Sequence, residues 1–201
     1  MAEEIVIASG NAGKLAEIRE ILAPLSITVV PQTEFQVDNA VEDGLTFIEN
    51  ALIKARHAAR ICARPVIADD SGLEVAALNG APGIHSARYA GVHGDDSANN
   101  EKLLRELKGL EGRKRRANFR CVMVYLRHAE DPAPLIAQGV WRGRIINEAR
   151  GTGGFGYDPL FLGDGLGSTG AELASVQKNA ISHRGQALRL LAAELAALHR
   201  R

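Results

Sequence analysis

The stretch Ile67-Ala68-Asp69-Asp70-Ser71-Gly72-Leu73 decides the fold class. The apolar run that leads into it, Pro65-Val66-Ile67-Ala68, predicts a buried strand that ends at two adjacent carboxylates, because Asp is disfavoured inside strands. Ligands bind at this carboxyl edge in open α/β sheets. Neighbouring strand residues point to opposite faces, so Asp69 and Asp70 are expected to do different work. The alternative is a polar turn, since Asp-Ser-Gly is ordinary turn chemistry.

Composition narrows the class of protein. The 201 residues suffice for one sizeable α/β domain with room for a subdomain. They carry no formal net charge, which disfavours sequence-independent electrostatic binding of nucleic acid. The run Arg113-Lys114-Arg115-Arg116 is predicted to be a solvated loop. Cys62 and Cys121 lie in apolar patterns and are predicted to be buried free thiols. No apolar stretch is long enough to span a bilayer, so we expect a cytoplasmic protein without a membrane partner.

The first strand leads into a candidate anion site. The apolar run Ile5-Val6-Ile7-Ala8 predicts a strand, and Ser9-Gly10-Asn11-Ala12-Gly13-Lys14 follows it before a helical pattern begins. Backbone N–H groups and the helix dipole converge on an anion at such a helix N-terminus, and Lys14 adds a charge. The turn is not a Walker loop, because Leu15 stands where Ser or Thr should follow the lysine. A plain connection is the alternative.

The next helix carries an unusual lysine. Thr46 and Glu49 have the spacing of a capping box, and the helical pattern runs on to about Cys62. On a helical wheel, Lys54 falls inside the apolar arc, where its charge is costly unless a carboxylate or a ligand phosphate meets it. The alternative is a lysine that snorkels at the edge of that face.

The second half of the chain holds a glycine-rich stretch around an aromatic residue. Further strands are expected at 27–30, 73–78, 117–126 and 135–146, and further helices at 97–107 and from residue 182 onward. The stretch Gly153-Gly154-Phe155-Gly156-Tyr157-Asp158-Pro159 would let the backbone approach a planar ligand while Phe155 stacks on it. A glycine turn that anchors Phe155 in the core is the equal alternative.

The last helix opens with cations at its positive end. His183 and Arg184 lie in its first turn and Lys178 lies just upstream, an unfavourable placement unless an anion or an acceptor-rich base edge faces them. Together with Lys14 and Lys54 and with the carboxylates Glu42, Asp69 and Asp70, these cations are typical of a metal-assisted reaction on a phosphate ester. The chemistry of these residues therefore predicts a nucleotide phosphohydrolase.

With these stretches in place, the chain resembles the inosine triphosphate pyrophosphatase family, the HAM1-like non-canonical purine NTP pyrophosphatases. The segments that carry the resemblance are Ser9 to Lys14, Gly44-Leu45-Thr46-Phe47-Ile48-Glu49-Asn50-Ala51, Ala68 to Gly72, Gly80-Ala81-Pro82-Gly83, Gly153 to Pro159 and Ser182-His183-Arg184. The resemblance implies one α/β domain over residues 1–201, elongated, with a long mixed central sheet flanked by helices and two lobes with a cleft between them. It further implies a homodimer that uses Mg²⁺ to hydrolyse ITP, dITP and XTP to the monophosphate and pyrophosphate.

The same resemblance assigns roles by position. Asp70 would be the base that activates water, Asp70 and Glu42 would be the metal-linked carboxylates, and Asp69 would stand beside them. The triphosphate would be held by Ser9, Gly10, Asn11, Ala12, Gly13, Lys14, Lys54 and Ser71. The base would be held by Phe155, Gly156, Tyr157, Asp158, Lys178, His183 and Arg184.

Two other functions stay open at this point. One is a related house-cleaning pyrophosphatase for modified pyrimidine triphosphates. The other is a nucleotide sensor without turnover, which the paired carboxylates disfavour, because a binder of anions gains nothing from extra negative charge unless a metal is present. No sequence pattern encodes the number of metal ions or the division of roles between Asp69 and Asp70. The same is true of the ITP-to-XTP preference, the exclusion of guanine and the dimer surface.

Overall fold

A computed structural model describes residues 4–25 and 27–198. Within that part of the chain, six strands form a mixed sheet in the order β2-β1-β3-β4-β5-β6. The strands are β1 (Glu4–Ile7), β2 (Thr28–Pro31), β3 (Val66–Val75), β4 (Arg116–Leu126), β5 (Leu135–Ile145) and β6 (Phe161–Gly163). The helices are α1 (Ala12–Leu22), α2 (Phe47–Cys62), α3 (Asp96–Glu106), α4 (Ser175–Ile181) and α5 (His183–Leu198). The α/β class with a mixed sheet is confirmed.

Pairing directions follow from the connections. β1 pairs in parallel with both β2 and β3, and the returns between these strands carry α1 and α2, because parallel strands need a crossover. β5 and β6 pair antiparallel. Among the described helices, none combines the length and the apolar character that a bilayer crossing requires.

The chain divides into two compact units, to which β3, β4 and β5 each contribute residues. Unit 1 contains residues 4–25, 27–70, 121–139 and 184–198, and unit 2 contains residues 71–120 and 140–183. The expectation of a single catalytic domain over residues 1–201 stays a prediction.

Unit 1 buries both faces of its strands. In β1 and β3, Ile5, Ile7 and Ile67 join an apolar cluster with α1 and α5, in which Ile18 and Leu188 are fully buried. The alternate residues of the same strands, Val6, Val66 and Ala68, join a second cluster with the alanine-rich face of α2. This alternation is the period of two expected of a strand, and it places α2 and the pair α1–α5 against opposite faces.

Unit 2 has a core of its own. Leu73 and Val75 from the end of β3 pack there with Leu103 of α3 and with a group of aromatic rings. The rings of Phe119 and Phe161 lie 4.6 Å apart in a tilted arrangement, a geometry that aromatic pairs favour.

The expectation about where β3 ends is wrong. The strand that contains Asp69 and Asp70 does not end at them; it continues to Val75, and only Ala76–Leu78 leave it as a short 3-10 turn. It continues because cations meet both carboxylates, as described below, and because the residues that follow have a core to enter.

The basic run is also not a solvated loop throughout. Arg115 is 7% exposed, and its guanidinium donates to the carbonyls of Leu107, Leu110, Ile145 and Ile146. Its neighbours Arg113 and Lys114 are exposed as predicted. A guanidinium has five donors in a rigid fork, so one side chain can satisfy several buried carbonyls.

Candidate active site

Unit 1 brings together a group of oppositely charged side chains that we call the lysine–carboxylate cluster. Its members are Lys14, Glu42, Lys54, Asp69 and Asp70. All five were predicted site residues, and they come from two helices, one loop and the middle of β3.

Strand alternation decides which lysine each aspartate meets. Asp69 lies two residues after Ile67 in the strand, so both side chains point to the same face, the one that α1 and α5 cover. Asp70 lies two residues after Ala68, so its side chain points to the opposite face, the one that α2 covers. Lys14 of α1 accordingly lies 2.8 Å from Asp69 Oδ2, and Lys54 of α2 lies 2.9 Å from Asp70 Oδ1.

Lys54 bridges two carboxylates. Its Nζ donates to Glu42 Oε2 and to Asp70 Oδ1, each at 2.9 Å, and its side chain is 13% exposed. Burial acts to lower the pKa of Lys54, but the charges of Asp70, Asp69 and Glu42 outweigh burial and raise the pKa above its ordinary value. Of the two partners expected for an inward lysine, a carboxylate or a ligand phosphate, the structure shows carboxylates.

The start of α2 fixes the loop that carries Glu42. Thr46 is the N-cap and its hydroxyl accepts from the N–H of Glu49, while the Glu49 carboxylate accepts from the N–H of Leu45. Asn50 is fully buried and accepts from the N–H of Gly44 at 2.9 Å. A Cβ at Gly44 would lie 2.7 Å from Asn50 Oδ1, so glycine is needed for this close approach.

Asp69 is surrounded by cations. Besides Lys14, the Nη2 of Arg184 lies 3.4 Å from Asp69 Oδ2, and the Nη1 of Arg184 donates to Glu17. Burial alone would raise the pKa of Asp69, but Lys14, Arg184 and Lys54 together hold it well below its usual range. The surrounding cations therefore favour the ionised form of the Asp69 carboxylate.

Asp70 has the opposite electrostatic character. Burial raises its pKa above the ordinary value and Glu42 adds to that effect, although Lys54 and Lys14 oppose it. Its Oδ2 is buried and has no hydrogen-bond partner among the described residues. A buried carboxylate oxygen without a donor is costly and is available to a water proton or a cation.

The predicted phosphate turn lies at the N-terminus of α1. Asn11 is the N-cap, and its Oδ1 accepts from the N–H of Lys14 at 3.0 Å. Ser9 Oγ accepts from the N–H of Asn11 at 3.2 Å. Gly10 and Ala12 are exposed and Gly13 is half-buried, so solvent reaches the turn.

Unit 2 holds the second group of predicted residues. We call residues 151–159 the aromatic loop. The Phe155 ring is half-buried and lies outside the apolar core cluster of this unit, and the Nζ of Lys178 stands 4.7 Å from the ring centroid. Lys178 also donates to Asp158 Oδ2 at 2.6 Å, and the same oxygen accepts from the N–H of Phe155 at 2.9 Å.

The remaining predicted residues lie in different surroundings. The imidazole of His183 stacks on Phe119 at 4.7 Å with 9° between the planes. The hydroxyl of Tyr157 donates to the carbonyl of Ser86, and its ring belongs to the core. Ser71 is half-buried and directly follows Asp70 in β3.

Sequence reasoning did not single out several residues that support these groups. Glu17 binds Arg184, Asn50 holds the Glu42 loop, and Asp96 and Asn100 contact the aromatic loop. Only Asn50 had a usable signal, since it is a polar residue one turn before Lys54 on the same inward face of α2.

The carboxylates suit a hard cation that shares its coordination with a substrate. Among the described residues, no group of three or more His, Cys, Asp or Glu side chains is arranged to enclose a metal ion. Mg²⁺ does not require such a cage, because it is usually bound by one or two carboxylates together with substrate phosphates. Glu42 and the free oxygen of Asp70 fit that pattern.

The chain is similar to proteins of one family over almost its whole length. A model of the Ham1 family matches residues 5–194. The chain is 60% identical over 188 residues to the dITP/XTP pyrophosphatase of Thioalkalivibrio sulfidiphilus, covering 94% of this chain and 96% of that protein. It is 57% identical over 189 residues to the dITP/XTP pyrophosphatase of Pectobacterium atrosepticum, with the same coverage. The solved structure of a HAM1 protein from Coxiella burnetii superposes with a TM-score of 0.90 at 51% identity, covering 97% of this chain and 99% of that chain.

Proposed function

The chain belongs to the Ham1 family, and from this premise we propose that it hydrolyses ITP, dITP and XTP to the nucleoside monophosphate and pyrophosphate. Such an enzyme removes deaminated purines from the nucleotide pool. The observation that carries the proposal is the Asp70 carboxylate, which is buried, has a raised pKa and keeps one oxygen without a partner among the described residues.

Asp70 acts as the general base in this reaction. It accepts a proton from water as the water oxygen forms a bond to the α-phosphorus. The bond from the α-phosphorus to the bridging oxygen breaks, and pyrophosphate leaves with that electron pair. A base works best when its pKa is drawn toward the working pH, which is the direction in which burial shifts Asp70.

Mg²⁺ is the proposed cofactor. Asp70 and Glu42 would hold it, and it would neutralise negative charge on the phosphate oxygens. Lys54 binds both carboxylates in the free protein and would then be available to the phosphate chain. Asp69 forms an ion pair with Lys14 and orients that lysine.

The phosphates and the base have separate sets of residues. The turn from Ser9 to Lys14, with Lys54 and Ser71, would hold the triphosphate through backbone N–H groups, hydroxyls and ammonium groups. Phe155 would stack on the purine, and Gly156, Tyr157 and Asp158 would shape the loop around it.

Donor groups account for the preference for deaminated purines. Hypoxanthine and xanthine carry a carbonyl at C6, where adenine has an amino group. Lys178, His183 and Arg184 are donors that can satisfy this acceptor, and a site built around such a hydrogen bond discriminates strongly. Of these three donors, Arg184 also forms ion pairs with Glu17 and Asp69.

The test is a panel of nucleoside triphosphates read for pyrophosphate, with and without Mg²⁺. We expect pyrophosphate from ITP, dITP and XTP only when Mg²⁺ is present. Orthophosphate as the first product would show that another bond is cut. A higher kcat/KM for modified pyrimidine triphosphates would favour the pyrimidine house-cleaning enzyme, and metal-dependent binding without turnover would favour a sensor.

Assembly and location complete the proposal. We expect a cytoplasmic homodimer, without nucleic-acid or membrane partners. Measurement of the solution mass by light scattering tests the assembly, and a monomer that retains full activity would contradict it.

A further inference from the structure

Two side chains of α3 hold the backbone of one glycine in the aromatic loop. The N–H of Gly156 donates to Asp96 Oδ2 at 2.6 Å, and the carbonyl of Gly156 accepts from Asn100 Nδ2 at 2.9 Å. Asp96 and Asn100 are four residues apart in α3 and therefore project from the same side of that helix. Both polar groups of a single residue are thus bound from one helix.

The glycine that they bind is the residue next to Phe155 in the chain. Gly156 has φ +63, in the left-handed region that favours glycine, and it directly follows Phe155. The N–H of Phe155 itself donates to Asp158 Oδ2 at 2.9 Å. A loop so rich in glycine has many conformations available, so binding Gly156 at both groups removes much of this freedom before a ligand arrives.

The side chain of Asn100 carries an energetic cost of its own. Its Oδ1 is buried and has no hydrogen-bond partner among the described residues, while its Nδ2 binds Gly156. A buried acceptor without a donor destabilises the folded state, and an apolar residue of α3 would avoid that cost. The contact that offsets it is the one to the loop.

We infer that Asp96 and Asn100 are positioning residues, which hold Phe155 in the orientation that receives the purine ring of the substrate. This inference rests on the proposed function, and neither residue needs to touch the substrate. Binding is tighter when a recognition loop is ordered in advance, because less entropy is lost on association. The effect should therefore fall on recognition of the base and leave the phosphate end unchanged.

The experiment compares Asp96→Ala and Asn100→Ala with two controls. Ser97→Ala lies in the same exposed turn of α3, and Asp96→Asn keeps an acceptor for the N–H of Gly156. For each variant we would measure kcat and KM for ITP, and the inhibition constant of inorganic tripolyphosphate, which has no base.

Both alanine variants should raise KM for ITP by about tenfold, the size of one lost hydrogen bond. We expect kcat to stay within about threefold and the tripolyphosphate constant to stay unchanged, since the chemistry and the phosphate residues are intact. Ser97→Ala should match wild type, and Asp96→Asn should recover most of the affinity. A second substitution at Asn100 should add little in a Phe155→Leu background, because both act through the same ring.

Hydrogen exchange provides a readout that needs no activity. The Gly156 amide should exchange slowly in wild type and at least about tenfold faster in Asp96→Ala. Rapid exchange in wild type, an unchanged KM in both alanine variants, or equal increases in KM and in the tripolyphosphate constant would each overturn the inference. Pyrophosphate release from ITP by the wild-type protein tests the proposed function separately, so the two failures are distinguishable.

Discussion

Asp69 and Asp70 are consecutive residues of β3, yet their carboxylates bind lysines from two different helices, Lys14 of α1 at 2.8 Å and Lys54 of α2 at 2.9 Å. The two partners give the two acids opposite properties. The pKa of Asp69 is lowered by its cations, whereas burial leaves the pKa of Asp70 raised. One acid is suited to hold charge and the other to exchange a proton.

Loss of the proposed base should remove turnover without unfolding the protein. Asp70→Asn has nearly the same shape, and we expect kcat for ITP to fall about 10²-fold or more. Asp164→Asn changes an exposed carboxylate in a turn and serves as the matched control. Steady-state pyrophosphate release and a thermal unfolding curve are the measurements. Turnover close to wild type in Asp70→Asn would exclude this residue as the base.

The pH dependence of activity should report on the same carboxylate. A base must be deprotonated, so kcat/KM should rise with pH through the pKa of Asp70. Lys54 lowers that pKa, so Lys54→Met should move the acid limb of the profile to higher pH. Lys54→Arg keeps the charge and should leave the limb near its wild-type position. An acid limb that stays in place in Lys54→Met would contradict the coupling.

Asp69 should affect stability in a pH-dependent manner. Because its pKa is depressed in the folded protein, its contribution is present above the unfolded value of 3.8 and is lost as the pH falls below it. Asp69→Asn should lower the free energy of unfolding by about 2–4 kcal/mol near neutral pH, since it leaves Lys14 and Arg184 without that charge. Urea unfolding across the acid range measures the difference, which should shrink as the pH falls. A difference that does not depend on pH would count against the ion pairs.

Removal of Mg²⁺ and loss of the Glu42 carboxylate should both impair pyrophosphate release. A chelator should abolish pyrophosphate release, and added Mg²⁺ should restore it. Glu42→Gln should raise the Mg²⁺ concentration for half-maximal activity by about tenfold, because one charged ligand is lost. Glu34→Gln, at an exposed carboxylate of the preceding segment, is the control. An unchanged Mg²⁺ requirement in Glu42→Gln would remove Glu42 from the proposed metal site.

Arg115 should matter for stability and little for catalysis. Arg115→Met leaves buried carbonyls of unit 2 without their donor, and we expect a loss of about 3 kcal/mol in the free energy of unfolding. Arg113→Met, three residues after Leu110 in the same turn region but exposed, should cost little. Equal free energies of unfolding for the two variants would show that the hydrogen bonds of the buried guanidinium do not stabilise the protein.

Much of the site could be predicted because local patterns encode which way a side chain points. The helical wheel placed Lys54 on the buried face of α2, and strand alternation separated Asp69 from Asp70. Both rules depend only on the spacing of residues within one helix or strand, so they can be applied without knowledge of the tertiary structure.

The parts that were missed depend on partners far away in the chain. The strand was expected to end at the aspartates because Asp alone disfavours strands, but Lys14 and Lys54 remove that penalty. Asp96 reads as an ordinary acidic residue in the first turn of a helix, and its contact with Gly156 spans 60 positions. No local periodicity encodes such a contact.

The alternation along β3 makes the length of this segment as important as its composition. Inserting or deleting one residue between Val66 and Asp69 would exchange the faces of the two carboxylates and turn each toward the helix that now serves the other. Conservative replacements at Ile67 or Ala68 preserve this arrangement, whereas a change of one in the residue count does not. Homologous chains that retain the function should therefore vary in side chains here but never in spacing.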